Sequence, residues 1–320
     1  MPTAPPPVRP VTLDDILAAR ERIRGVITRT PLVRLLHGIE GAPEIWLKLE
    51  NLQPINAFKL RGAANAVAML PPEERAKGVW TISAGNAGQG VAYAAREAGV
   101  PCTVVVIDKA PETKVERMRA LGATLVKAPF DACWTAMEER TFPGVEGTFV
   151  HPFDDHDFIA GNATIGLEIV EDLPNVKTVI AAIGGGGLTT GIGSAIRAIA
   201  PHVRMLGAEP ETAAPGAASF AAGSPQWFDN WQASFVDGAG GKSIFPRMWE
   251  RLKVAIDGSI VVTLDEVKRA MKLVASKSRV IAEGAGALSV AAALKEHDGP
   301  VVAVVSGGNI DLAKFCEIVS

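Results

Sequence analysis

Apolar residues recur along this chain in two rhythms, and the rhythms alternate. In LDDILAARERIRG (13–25) they fall three and four apart, the spacing of a helix with one buried face. CTVVVI (102–107), VKTVIAAI (176–183) and PVVAVVS (300–306) are instead apolar almost throughout, over lengths that suit strands. Strands of that kind are covered on both faces, as in a parallel sheet flanked by helices. EIWLKLE (44–50), VWTIS (79–83), TLVKA (124–128) and VRMLGAEP (203–210) read as further strands. VAYAAREAG (91–99), ETKVERMRALG (112–122), FIAGNATIGLEIVEDL (158–173), LTTGIGSAIRAIA (188–200), LDEVKRAMKLVASKS (264–278) and AGALSVAAALKEH (285–297) read as helices.

The ends of these elements carry their own signals. Thr12 with Asp15 forms a capping box, and Thr263 or Asp265 caps a later helix. Asn56 is placed to cap the helix that contains Lys59. Residues 212–241 hold Trp227, Phe228 and Trp231 without clear periodicity and read as loop and short helix. After Ser306-Gly307-Gly308-Asn309 only a last turn is expected. The α/β alternation predicts two open parallel-sheet subdomains with helices on both faces. The smaller is expected over 76–148, and the larger over 1–75 together with 149–320.

Composition narrows the class. The chain has 320 residues, 48% hydrophobic and 21% charged, with a net charge of -3, which gives no footprint for nucleic acid. Cys102, Cys133 and Cys316 are far apart and form no C-x-x-C pair, which fits a reducing cytoplasm and argues against a disulfide framework or zinc site. The leader MPTAPPPVRP lacks the apolar core of a signal peptide, and no apolar run approaches the ~20 residues of a membrane helix.

Four stretches carry candidate chemistry. Lys59, in NAFKLRGAAN, falls in a first helical turn, where unpaired N–H groups disfavour a cation and favour a neutral, nucleophilic amine. Gly184-Gly185-Gly186-Gly187 follows a buried strand and precedes a helix, so several backbone N–H groups can converge on a phosphate. Ser83-Ala84-Gly85-Asn86-Ala87 makes a second strand-to-helix junction, suited to a carboxylate. Ser306 ends an apolar strand at the sheet edge where open α/β sheets bind ligands. A dinucleotide site is the rival for the glycine loop, with Glu209 where a ribose-binding acid would lie. The G-x-G-x-x-G spacing fails, however, because Thr189 and Thr190 occupy its last position. Gly238-Ala239-Gly240-Gly241-Lys242-Ser243 looks like the end of a phosphate loop, but Val236 replaces its first glycine and Pro246 interrupts the helix expected next. The five histidines show no metal or triad spacing.

In this order the motifs resemble the pyridoxal-phosphate enzymes of the tryptophan-synthase-β type (fold type II), most closely the threonine/serine dehydratases. INAFKLRGA is similar to the Schiff-base segment, SAGNAGQG to the asparagine loop, IAGNATIGLEI to a following helix, GGGGL to the phosphate cradle and SGGNID to the C-terminal motif. The resemblance implies pyridoxal 5'-phosphate as cofactor. Lys59 would be the Schiff-base lysine and remove the substrate Cα proton, and Phe58 would pack on the ring. Asn86 would bond the ring hydroxyl, Gly184, Gly185, Gly186, Gly187 and Leu188 would hold the phosphate, and Ser306 would face the ring nitrogen. Glu283 matches an acidic position near the cofactor. Ser83, Gly85, Asn86 and Ala87 would take the substrate carboxylate.

The implied reaction is β-elimination from an L-3-hydroxy amino acid, giving a 2-oxo acid and ammonia, in a cytoplasmic homodimer. β-Replacement by a second nucleophile is the enzyme alternative, and a nucleotide-binding oxidoreductase the alternative from another class. Three departures refine the expectation. Ala84 stands where the racemases of the family have serine, which implies little racemase activity. Ala87 stands where the loop usually has histidine. With Trp227, Phe228 and Trp231 expected nearby, this suggests a bulkier substrate such as 3-phenylserine. Glu209 matches one ligand of a divalent-metal site found in some relatives, but Pro215 stands at the aspartate position. The chain ends soon after SGGNID, so feedback through an added C-terminal domain is not expected.

Overall fold

The computed structural model describes residues 7–110 and 112–320. Its strands form two sheets. Across the larger sheet the order is β1 (Leu32–Leu35), β2 (Ile45–Leu49), β10 (Val301–Val305), β7 (Thr178–Ala182), β8 (Arg204–Pro210) and β9 (Gly258–Val262). Across the smaller it is β5 (Thr124–Ala128), β4 (Cys102–Ile107), β3 (Val79–Ile82) and β6 (Thr148–Phe149). Every neighbouring pair is parallel except β1 and β2, which run antiparallel. The expected parallel architecture therefore holds with one edge strand reversed. The connection through residues 36–44 is too short for a helical crossover, so β2 returns beside β1 in the opposite sense.

The apolar strands are buried for the reason their sequence suggests. Along β10, Val302 and Val304 point into one core while Val301, Ala303 and Val305 point into the other. β7 divides its residues between the same two cores, Val179 and Ala181 against Ile180 and Ala182. In the smaller sheet Val104 and Val106 face one core and Val105 the opposite one. Each such valine or isoleucine contributes roughly 1.5–3 kcal/mol relative to an exposed one, and each alanine about 1 kcal/mol.

Helices α1 (Leu13–Ile23), α2 (Lys59–Met69), α3 (Pro72–Arg75), α4 (Asn86–Ala98), α5 (Glu112–Ala120) and α6 (Phe130–Glu139) serve the first half of the chain. Helices α7 (His156–Asp172), α8 (Gly187–Ile199), α9 (Pro215–Ala222), α10 (Pro246–Ala255), α11 (Leu264–Ser278), α12 (Gly284–Ala293) and α13 (Leu312–Val319) serve the second. The Thr12–Asp15 capping box forms, and of the two candidates Thr263, not Asp265, caps α11, in a capping box with Glu266.

Three local expectations need correction. Asn56 does not cap α2: it sits at φ 56° in a left-handed turn, and the helix begins behind Phe58 with no side-chain cap. Pro246 does not interrupt a helix but opens α10, since a proline at the first helical position gives up only an N–H that lacks a partner anyway. The last turn is a full helix, α13, capped by Asp311. The helix α6 and strand β9 lay outside the periodicity argument altogether.

Helix α2 is clamped between α4 and α7. A Cβ on Gly161 of α7 would lie 2.3 Å from the Arg61 carbonyl oxygen, so the two backbones touch only because residue 161 is glycine. The loops after β3, β6, β7 and β10 all leave the carboxyl ends of parallel strands, where ligands gather in open α/β folds.

Candidate active site

Lys59 is the first residue of α2 and half-buried. Its amine donates to the Pro152 carbonyl at 2.6 Å and lies 5.2 Å from the Phe58 ring centroid and 5.4 Å from that of Phe158. Burial lowers its pKa from 10.5 to about 8, because no carboxylate compensates the desolvated ammonium. About a tenth of the amine is therefore free base at pH 7, far more than for an ordinary lysine.

Phe58 and Ser306 are joined through the backbone, Phe58 N–H donating to the Ser306 carbonyl at 3.0 Å. Ser306 is 3% exposed, and among the described residues its hydroxyl has no hydrogen-bond partner. Gly308 N–H donates to the Asn56 carbonyl at 2.9 Å, so the C-terminal loop lies along the lysine loop.

Asn86, the first residue of α4, is held in one orientation. Asn309 donates from Nδ2 to the Ile55 carbonyl and to Asn86 Oδ1, both at 2.8 Å. Asn86 must then present its own Nδ2 to Glu283 Oε1, at 2.8 Å. One N–H of that amide is left for a ligand. Glu283 is buried, and its pKa rises to about 7. Burial is the main cause and Asp237 adds to it, while the Asn86 hydrogen bond, Lys114 and the Asn309 N–H oppose the rise.

The start of α4 leaves some of its backbone N–H groups unpaired, but not that of Gly85. Gly85 N–H turns back to Ser83 Oγ at 3.1 Å. The N–H groups of Asn86 and Ala87 open the helix without intrahelical partners. Gly85, Asn86, Gln89, Asp237, Glu283 and Asn309 are among the residues lining a cleft of about 880 Å³. Trp227, Phe228 and Trp231 do not line it. Trp227 is 58% exposed, and Trp231 donates to the Gly240 carbonyl. Phe235 is the aromatic residue that does line the cleft.

The glycine loop bends around β7 into α8. Gly186 takes φ 86°, a left-handed conformation that opens the turn, and the N–H groups of Gly187 and Leu188 begin the helix. A Cβ on Gly185 would lie 2.3 Å from the Phe153 ring. Gly238, from the second glycine-rich stretch, backs this loop: a Cβ on Gly184 would sit 3.3 Å from its carbonyl oxygen, and a Cβ on Gly238 3.4 Å from Glu283 Oε1. The stretch discounted as a nucleotide loop is thus a wall of the site.

Sequence reasoning missed His151-Pro152-Phe153-Asp154. This segment links the lysine, through Pro152, to the glycine loop, through Phe153. Asp154 is fixed by Arg140 at 3.0 Å and Arg247 at 2.8 Å. A proline and two acids directly after a strand end were the available signal. Glu209 is elsewhere. It is fully buried and accepts from Gly216 N–H, Ala217 N–H and Ser259 Oγ, each at 2.7 Å, which anchors α9. No group of three or more potential metal-ligating side chains occurs among the described residues.

A desolvated lysine amine, a glycine-lined helix start after β7 of the larger sheet and the start of α4 after β3 of the smaller sheet lie at the carboxyl ends of parallel strands, and both helix starts offer unpaired N–H groups. This combination defines an enzyme that holds a phosphorylated carbonyl cofactor beside a small anionic substrate. A sequence model described as pyridoxal-phosphate dependent enzyme matches residues 23–307, and the chain belongs to that family and uses pyridoxal phosphate. The chain is 39% identical over 320 residues to the L-threonine ammonia-lyase of Thermotoga maritima, covering 97% of this chain and 78% of that one. It is 36% identical over 319 residues to the catabolic L-threonine dehydratase of Staphylococcus aureus, covering 97% and 92%. Among solved structures, maize serine racemase superposes with a TM-score of 0.86 at 30% identity over 97% of each chain. No described helix is long and apolar enough to cross a membrane.

Proposed function

We propose that the protein eliminates water from an L-3-hydroxy amino acid, yielding a 2-oxo acid and ammonia. The observation that carries this reading is the Lys59 amine, lowered by burial to about 8 and held beside two anion-binding helix starts. Pyridoxal phosphate, when bound, supplies the electron sink. Lys59 would hold its carbonyl carbon, the N–H groups of Gly184, Gly185, Gly186, Gly187 and Leu188 its phosphate, and Asn86 its ring hydroxyl. Phe58 would pack on the ring, and Ser306 would donate to its nitrogen.

The N–H groups of Asn86 and Ala87, at the positive end of α4, orient the substrate carboxylate. Lys59 Nζ takes the Cα proton, for which an amine with pKa near the working pH is suited. Ala84 offers no hydroxyl to return a proton to the opposite face, so elimination is favoured over racemisation. The mobility of the smaller sheet over residues 76–148 relative to the rest, cytoplasmic residence and a homodimer remain parts of this proposal.

The phosphate assignment predicts that Gly185→Ala weakens cofactor binding by about tenfold or more, because the new methyl forces Phe153 and the loop apart at a cost of roughly 1–3 kcal/mol. Titration of the cofactor-free protein by absorbance measures this. Unchanged affinity would remove the glycine loop from the phosphate site.

One observation favours a bulkier substrate within the same class. Ala87 is 4% exposed in the first turn of α4, at the position where the family's usual loop has histidine. With Trp227, Phe228 and Trp231 outside the cleft, this reading rests on Ala87 alone. The test is 2-oxo acid formation from L-threonine, L-serine and threo-3-phenylserine by the wild type and Ala87→His. The expected result is a higher kcat/KM for phenylserine in the wild type, reversed by about tenfold or more in Ala87→His, a discrimination typical of one reshaped pocket wall. A wild-type preference for threonine discards the enlarged pocket and keeps the elimination.

A further inference from the structure

The turn beneath the lysine has a structure of its own. His151 is 1% exposed, and its Nδ1 accepts two backbone N–H groups, from Phe153 at 3.3 Å and Asp154 at 2.9 Å. The Pro152 carbonyl, in the same peptide as the Phe153 N–H, receives the Lys59 amine at 2.6 Å. We propose that His151 is a positioning residue for Lys59: as a neutral acceptor it folds residues 151–154 into the turn that aims the Pro152 carbonyl at the amine.

The chemistry of the ring requires this tautomer. An Nδ1 that accepts two N–H groups carries no proton, so the hydrogen of the neutral ring sits on Nε2. Protonating Nδ1 would set a donor against two donors and open the turn. The surroundings oppose that charge. Burial lowers the imidazole pKa well below 6.5, and Arg140, Lys59 and Arg247 lower it further. The carboxylate of Asp154, in the same turn, is paired with Arg140 and Arg247. The ring is also wedged edge-on, with centroids 5.6 Å from Phe149 and 4.5 Å from Phe153. Its orientation is fixed by packing as well as by hydrogen bonding.

Fixing this carbonyl matters because a lysine side chain has about 2 kcal/mol of rotamer entropy to lose. Without a partner, the amine samples positions from which it cannot reach a Cα proton. The carbonyl holds it in place and accepts a hydrogen bond whichever protonation state it has. The same turn seats Phe153 on Gly185, so one imidazole sets the separation between the base and the glycine loop.

This inference rests on the reading of Lys59 as the base. The test compares the holoenzymes of the wild type, His151→Leu and His151→Asn. Asparagine Oδ1, two bonds from Cβ like histidine Nδ1, keeps the acceptor, whereas leucine keeps bulk alone. His151→Leu is expected to lose about 10–100-fold in kcat with KM within about threefold, the scale of a base misplaced by about 1 Å. His151→Asn is expected to stay within about threefold of the wild type in both. Nitrogen-15 NMR of histidine-labelled wild-type holoenzyme is expected to show the His151 ring with Nδ1 unprotonated and Nε2 protonated across neutral pH.

A protonated Nδ1 overturns the proposal, as does a His151→Leu variant with full kcat, or a His151→Asn variant as impaired as His151→Leu. If His151→Leu does not fold, His151→Asn and the NMR spectrum decide: a tenfold fall in kcat for His151→Asn overturns it, and near wild-type kcat supports it. Activity retained in Lys59→Ala would instead remove the base assignment, whatever tautomer the ring shows.

Discussion

Lys59→Ala is expected to lose at least about 10³-fold in 2-oxo acid formation and to gain stability in the cofactor-free protein. The first effect follows from removing the group that anchors the cofactor and takes the Cα proton, since a positioned base alone contributes roughly 10²–10⁴-fold. The second follows from the lowered pKa. The folded state binds the Lys59 proton with a pKa of about 8, against 10.5 for the unfolded chain. Folding at neutral pH therefore keeps a desolvated ammonium or expels its proton, a cost of about 3 kcal/mol that the Pro152 hydrogen bond offsets in part. The cost is full below about 8, shrinks as pH rises, and vanishes near 10.5. Alanine removes it, so the urea midpoint of the variant should exceed that of the wild type at pH 7, with the gap closing towards pH 10. Activity surviving the substitution would refute the catalytic assignment, and a midpoint lower at every pH would refute the electrostatic one.

This antagonism explains why the lysine was legible in the sequence while its environment was not. A cation in a first helical turn is locally misplaced, and local misplacement is visible in a string of residues. What lowers the amine pKa is burial, a property of three-dimensional space. The glycine loop and Ser306 were legible for a related reason: each follows an apolar strand, and strand ends mark the ligand edge of the sheet. His151 and Pro152 follow a strand of only two residues, too short for a period, so no periodicity marked the strand end that precedes them. The aromatic cluster at 227–231 failed in the opposite way. Composition suggested a pocket wall, but Trp231 is turned towards Gly240 and Lys242, and Phe235 lines the cleft instead.

The fold shows the same division. Strands apolar on both faces announced the parallel sheets, because burial on both faces leaves no polar position in the period. The reversed β1 could not be read from residues 32–35, since its direction is set by the length of the loop that follows rather than by its own side chains. α10 was obscured by Pro246, a residue that ends helices at most positions and starts them at one.

Arg61→Leu is expected to cost about 3–5 kcal/mol of stability, more than any single apolar truncation in either sheet short of the largest. The two sequence segments INAFKLRGA and IAGNATIGLEI meet through this residue. Arg61 is fully buried and forks onto Glu50 through Nε and Nη2, each at 2.8 Å, and onto Glu168 through Nη1 at 2.7 Å and Nη2 at 2.8 Å. Lys48, also fully buried, gives Glu168 a second cation at 2.6 Å, and Thr30 donates to Glu50 at 2.5 Å. Two cations and two carboxylates thus balance beneath the first turn of α2. Burial alone would raise the Glu168 pKa, but Arg61 and Lys48 reverse this and hold it below its ordinary 4.5. Leucine in place of Arg61 leaves Glu50 buried with neutral donors only, and uncompensated charge is what makes such a loss severe. Because the folded pKa of Glu168 is depressed, the stability from its pairing is present above about 4.5 and is lost as pH falls through the folded value. The wild-type denaturant midpoint should therefore fall at acid pH, and the Arg61→Leu midpoint should begin lower and fall less. Equal midpoints at neutral pH would show that the network is dispensable for stability. If so, the close approach of α2 to α7 at Gly161 would be what fixes the start of α2, and with it Lys59, against the Pro152 turn.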